Sequence, residues 1–124
     1  VIGVSRRRPR VSTDVDFEHA SIDLTDADAC RAAAPGFTDV THVVFAALFE
    51  KPGLVQGWFE ADQMATELAM IRKLMDPLLA AAGGLRHVSV LQGTKAYGAH
   101  VQRIAIPTRE NAARDPRDKF YWLQ

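Results

Sequence analysis

The sequence predicts an α/β domain built on a doubly wound parallel sheet. Three observations carry that prediction: short β-branched apolar runs recur along the chain, segments of ten or more residues separate them, and one long segment switches to a helical period. Crossovers of that length demand parallel pairing of the strands they join.

The elements follow in order. "VIGV" at the start is a β-branched run that stops at the basic segment "SRRRPR", so it reads as a buried strand followed by a loop. "RRRPRVSTDVDFEHA" is polar and turn-rich. In "SIDLTDA", Ile22 and Leu24 suggest a short strand ending in Asp23 to Asp26, with Thr25 as the N-cap of a helix over "DADACRAAA" that Pro35 and Gly36 close. "DVTHVVFAAL" is the clearest strand, apolar on both faces from Val43 to Leu48, as a parallel sheet covered on both sides requires. "EKPGLVQG" is a loop. From Trp58 to Ala82 the period is helical, and Met64, Leu68, Ile71, Met75 and Leu78 form one stripe that reads as core. Pro77 falls inside this pattern and should kink the helix or end it early, because it lacks a backbone donor and crowds the preceding turn. Gly83 and Gly84 terminate it, and "LRHVSVLQ" is a further buried strand. The chain opens in mid-strand without methionine and stops at "KFYWLQ", where a helix has barely begun, so residues 1–124 are expected to be part of a longer protein.

Composition narrows the function classes. Fifteen basic residues balance fifteen acidic ones in 124, which gives no global field for nucleic acid or an anionic membrane. Cys30 is the only cysteine, so an intrachain disulfide is excluded and the residue reads as a small buried apolar group. No apolar run approaches about eighteen residues, and no signal-peptide pattern opens the chain, so a cytoplasmic protein is expected. His19, His42, His87 and His100 lie on separate segments without the i, i+4 spacing of a helical metal pair. No G-x-S-x-G elbow supports a serine hydrolase.

In doubly wound sheets ligands bind beyond the carboxyl ends of the strands, where "SRRR", "DLTD", "AALFEKPG" and "QGTK" are expected to converge. Arg6, Arg7 and Arg8 follow a strand end where an acidic residue would accept the adenosine ribose hydroxyls of NAD. Guanidinium groups there suit the 2′-phosphate of NADP, although a solvated basic loop has the same composition. Asp23 and Leu24 are placed to frame an adenine. Lys95, in "LQGTKAYG", stands at a strand mouth either as a solvated end cap or as a cation that lowers the pKa of a neighbouring phenol. Tyr121, in "FYW", is a candidate general acid or oxyanion stabiliser; its alternative role is an aromatic anchor beside Phe120 and Trp122.

Taken in order, "GVSRRRP", "DLTD", "VTHVVFAAL", "GLRHVSVLQGTKAYG" and "FYWLQ" resemble the extended short-chain dehydrogenase/reductases, within them the group of progesterone 5β-reductase and iridoid synthase. The resemblance covers almost the whole chain. It implies an incomplete Rossmann-like domain, with the first strand and glycine-rich turn before Val1 and the substrate region after Gln124. It further implies an NADPH-dependent reductase of α,β-unsaturated carbonyl compounds. Arg6 and Arg7 match the residues that hold the NADPH 2′-phosphate, with Ser5 beside them also implied to bind the cofactor. Asp23 and Leu24 match the adenine-contacting pair, and Phe45 to Leu48 the strand end beneath the cofactor, which Ala46, Ala47 and Leu48 are implied to bind. Lys95 matches the catalytic lysine, which also binds the cofactor, and Tyr121 the catalytic tyrosine; in this group the two come from separate segments, lysine first. The implied partner is a small enone or enal, with no nucleic acid, metal or membrane, and with room for a homodimer. Relatives tend to carry asparagines near Glu67 and Lys73, a departure in this chain. Other readings are a nucleotide-sugar epimerase or dehydratase, a carbonyl reductase, and a non-catalytic NADP-binding sensor. The segment by itself is expected to be inactive.

Overall fold

The computed structural model describes residues 1–10, 14, 16–49, 51, 60–99 and 102–115, with Lys95 described by its backbone alone. Strand β1 (Ile2–Ser5) pairs in parallel with β2 (Glu18–Ser21), with Ile2 opposite Glu18 and Ser5 opposite Ser21. "EHAS" lies in the stretch expected to be a polar loop. Its ladder makes it a strand in place of hydrophobicity: at the two ends Glu18 N–H donates to the Val1 carbonyl at 3.0 Å and Ile22 N–H to that of Ser5 at 3.2 Å. Ile22 and Leu24 therefore follow the strand and do not belong to it, although both are buried. β1 is half-buried along its length, less covered than its composition suggests.

Helix α1 (Ala27–Ala33) is capped by Asp26 and not by Thr25. The Asp26 carboxylate accepts from the N–H groups of Asp28 at 2.9 Å and Ala29 at 3.0 Å, satisfying two of the unpaired donors of the first turn. Thr25 is used one step earlier, giving both its N–H (2.9 Å) and its hydroxyl (2.7 Å) to Asp23 Oδ1. Pro35 and Gly36 end the α-helix as expected, inside a 3₁₀ turn (Ala34–Phe37) that buries Phe37.

Strands β3 (His42–Phe45) and β4 (His87–Val90) form the second pair. Arg86 N–H donates to Thr41 O at 2.7 Å and Leu91 N–H to Phe45 O at 2.9 Å, so partners climb together and the pair is parallel. Burial on both faces was expected, but in β3 successive side chains alternate, with Phe45 buried and Val44 67 % exposed, and β4 runs from exposed His87 and Val88 to half-buried Ser89 and Val90. β3 also ends at Phe45, so Ala46, Ala47 and Leu48 lie beyond it.

Helix α2 (Ala61–Ala81) runs on past Pro77, where a kink or an early end was expected, and does not end there. Burial of Leu78 and Ala82 beyond the proline offsets the hydrogen bond it cannot make. The tail closes at the glycines, with Ala82 N–H on Leu78 O at 2.8 Å. The buried stripe differs in its first half. Gln63, Glu67 and Met70 are buried ahead of Met75 and Leu78, whereas Met64, Leu68 and Ile71 are half-buried.

The chain divides into two compact units, residues 1–43 with 69–87 and residues 44–68 with 88–124. Among the described residues every buried side chain of the first unit is apolar, including Ile22, Leu24, Cys30, Phe37, Met75 and Leu78. The second buries Phe45 and Ala96 together with Gln63, Glu67 and Asp115. Among the described residues no helix is long and apolar enough to cross a membrane, and no group of three or more His, Cys, Asp or Glu could hold a metal ion.

Candidate functional site

In the first unit the basic turn leaves β1 at Ser5, and its backbone is tied to both strands. Ser5 Oγ donates to the Arg7 carbonyl at 2.7 Å and lies 2.9 Å from His19 Nε2; Ser21 Oγ donates to the Arg6 carbonyl at 2.9 Å. Arg6 and Arg7 are exposed and form no ion pair among the described residues. Arg8 is turned elsewhere, its guanidinium 5.2 Å from the centre of the Phe17 ring, a cation–π distance. Gly3 makes room for that ring: a Cβ at Gly3 would stand 3.2 Å from two Phe17 carbons.

Asp23 and Leu24 belong to the same unit. Two hydrogen bonds from Thr25, hydroxyl first and then backbone, hold the Asp23 carboxyl below its ordinary value, and the charges of Arg6 and Lys73 add to the effect. The lowered folded value means that these bonds stabilise the turn at neutral pH and are lost as acid titrates Asp23 through it. Oδ1 takes both Thr25 bonds, and Oδ2 makes none among the described residues. Lys73 Nζ, reaching from α2, donates to the Thr25 carbonyl at 2.6 Å and fixes the far side of the turn. Leu24 is buried. Burial pushes the Cys30 thiol above its ordinary value, as suits an inert core residue.

In the second unit, Ala46 and Leu48 are exposed, Ala47 is half-buried, and the residue after them is clamped. Phe49 N–H donates to Glu67 Oε1 at 2.6 Å, and Gln63 Nε2 donates to Phe49 O at 2.6 Å. Gln63 and Glu67 are one helical turn apart and both are 0 % exposed, so one turn of α2 grips both polar groups of a single peptide residue. Gln63 Oε1 is left buried with no partner among the described residues. Lys51 follows closely and bridges Asp62 and Glu60; these bonds, Asp62 first, raise its pKa, and Lys51 in turn lowers that of Asp62.

The backbone of Lys95 lies in a 3₁₀ turn (Gly93–Tyr97) after β4. Asp115 N–H donates to Ala96 O at 3.0 Å, and Gly98 leaves the turn at φ +79°, where a Cβ would collide with the Asp115 carboxylate. Tyr97 donates its hydroxyl to the Glu110 carbonyl at 3.4 Å. Tyr121 and the Lys95 side chain lie outside the described residues. Arg6, Arg7, Asp23 and Leu24 thus fall in one unit, and Ala46 to Leu48 and Lys95 in the other. Sequence reasoning missed His19, Ser21, Lys73, Gln63 and Glu67 as the residues that fix these segments. The pairing of Gln63 with Glu67 at helical spacing was the available signal for the last two.

Comparison with known proteins gives this geometry a setting. No protein-family model matches the chain. A 3-oxo-Δ(4,5)-steroid 5β-reductase of Arabidopsis thaliana is 31 % identical over 130 aligned positions, which take in 100 % of this chain. An (S)-8-oxocitronellyl enol synthase of Antirrhinum majus is 24 % identical over 98 % of the chain, and one of Nepeta racemosa 26 % identical over 100 %. The chain is a relative of the progesterone 5β-reductase and iridoid synthase group. It spans about a third of the length of the curated relatives it matches, 32 % for the steroid 5β-reductase and for the Nepeta enol synthase and 31 % for the Antirrhinum one. The similarity to the 5β-reductase runs through both units, so it takes in the basic turn, the Asp23 turn, the clamped segment and the turn carrying Lys95.

Proposed function

We propose that the full-length protein is an NADPH-dependent oxidoreductase of the short-chain dehydrogenase/reductase superfamily that reduces the C=C bond of an α,β-unsaturated carbonyl compound. The observation that carries this reading is the similarity of the whole chain to a steroid 5β-reductase, whose substrate name describes a ketone conjugated to a double bond. The strand pairs support a Rossmann-like fold: with β1 counted as its second strand, β1–β2 and β3–β4 are the neighbouring pairs of a 3-2-1-4-5 order.

The donor set fits the cofactor. Two exposed guanidinium groups without ion pairs among the described residues suit a 2′-phosphate, and Asp23 Oδ2, which makes no bond among those residues, suits an adenine amine. We assign Ser5, Arg6, Arg7, Asp23 and Leu24 to the adenosine end, and Ala46, Ala47, Leu48 and Lys95 to the remainder. When bound, NADPH supplies hydride for the β-carbon of the substrate. Negative charge then develops on the carbonyl oxygen, and the Tyr121 phenol stabilises it by donating a hydrogen bond. Lys95 would lower the pKa of that phenol and so strengthen it as a donor, and a proton taken up at the α-carbon of the enolate completes the saturated carbonyl compound.

Replacing Tyr121→Phe removes the donor and is expected to lower NADPH-dependent turnover of an enone by the full-length protein at least about tenfold. An unchanged rate removes Tyr121 from the mechanism. A substrate panel separates the other readings: an allylic alcohol marks a carbonyl reductase, a sugar product an epimerase or dehydratase, and binding without oxidation a sensor.

A further inference from the structure

We propose that His19 and Ser21 are positioning residues that preset the basic turn after β1 for a 2′-phosphate, and thereby set the preference for NADPH over NADH. The inference rests on the cofactor reading above. Its first support is a proton count. The Ser5 hydroxyl has one proton and gives it to the Arg7 carbonyl at 2.7 Å, so the 2.9 Å bond between Ser5 Oγ and Nε2 is donated by His19. His19 therefore carries its proton on Nε2 and acts as a fixed donor, not as a base that activates Ser5.

The second support is register. β2 lies parallel to β1 with His19 opposite Gly3 and Ser21 opposite Ser5. From there the Ser21 hydroxyl reaches the Arg6 carbonyl at 2.9 Å. Two consecutive carbonyls, Arg6 and Arg7, are held by hydroxyls at the strand ends, and His19 holds one of those hydroxyls in place. The third support is what the turn leaves over. Arg8 is drawn onto Phe17, while Arg6 and Arg7 are exposed on a tied backbone and form no ion pair among the described residues. A backbone fixed before binding loses less freedom when a phosphate arrives. NADH has no phosphate at that position, so its affinity does not draw on the turn.

The test measures Kd, KM and kcat with NADPH and NADH on the full-length protein. His19→Ala and Ser21→Ala are each expected to weaken NADPH about fivefold while leaving NADH affinity and kcat at saturating NADPH unchanged. His19→Gln, which keeps an N–H donor, is expected to restore most of the loss. Ser21 is exposed, so its variant keeps the test open if His19→Ala fails to fold. Equal weakening of both cofactors, no change in either, or failure of His19→Gln to rescue overturns the inference. Arg6→Ala with Arg7→Ala is measured alongside: an unchanged NADPH to NADH ratio there overturns the cofactor reading and this inference with it, whereas a fall in that ratio without one in His19→Ala and Ser21→Ala overturns the inference alone.

Discussion

The unit made of residues 1–43 and 69–87 buries hydrocarbon, whereas the unit made of 44–68 and 88–124 buries an amide and two carboxyl-bearing side chains beside Phe45 and Ala96. The first gains stability from area removed from water, and its polar groups stay at the rim where they tie the basic turn and the Asp23 turn. The second places polar side chains inside and uses them on backbone: Gln63 and Glu67 on Phe49. A segment such as Ala46 to Leu48, with Ala46 and Leu48 exposed and Ala47 half-buried, has few apolar contacts to hold it. Hydrogen bonds from a helix hold the residue that follows it.

The comparison breaks if apolar and polar burial respond alike. Leu78→Ala in the first unit is expected to cost about 2–5 kcal/mol, since it opens a cavity at a residue only 3 % exposed. Urea unfolding of the full-length protein would read it. Glu67→Leu in the second unit fills space but leaves Phe49 N–H without its acceptor, with an expected cost of about 1–3 kcal/mol. Glu67→Gln keeps an acceptor oxygen and should cost least of the three. If Glu67→Gln proves as damaging as Glu67→Leu, the carboxylate charge matters and the clamp is not the reason for the residue.

The apolar core of the first unit was the most legible part. β1, α1, the second half of α2 and the burial of Cys30, Met75 and Leu78 follow from β-branched runs, helical period and turn residues. What sequence missed is what depends on partners. "EHAS" has no hydrophobic pattern and becomes a strand because β1 offers it a ladder. Thr25 and Asp26 are both good caps, and only the competing bonds to Asp23 decide between them. Hydropathy put Met64, Leu68 and Ile71 inside, because it cannot credit Gln63 and Glu67 with hydrogen bonds that make their burial tolerable. Residue chemistry marked Arg6, Arg7 and Lys95 as candidates, but the roles of Lys95 and Tyr121 came from resemblance, since nothing in their spacing distinguishes an end cap or an aromatic anchor from a catalytic group.

The central claim is hydride delivery to the carbon of a conjugated double bond, and isotope placement tests it most directly. The full-length protein would be incubated with NADPH deuterated at the transferable position and a simple enone, and the product analysed by mass spectrometry and NMR. A saturated ketone carrying deuterium on its β-carbon is the predicted result. Deuterium on the carbinol carbon of an allylic alcohol, or oxidation of no cofactor across a broad enone panel, would contradict it.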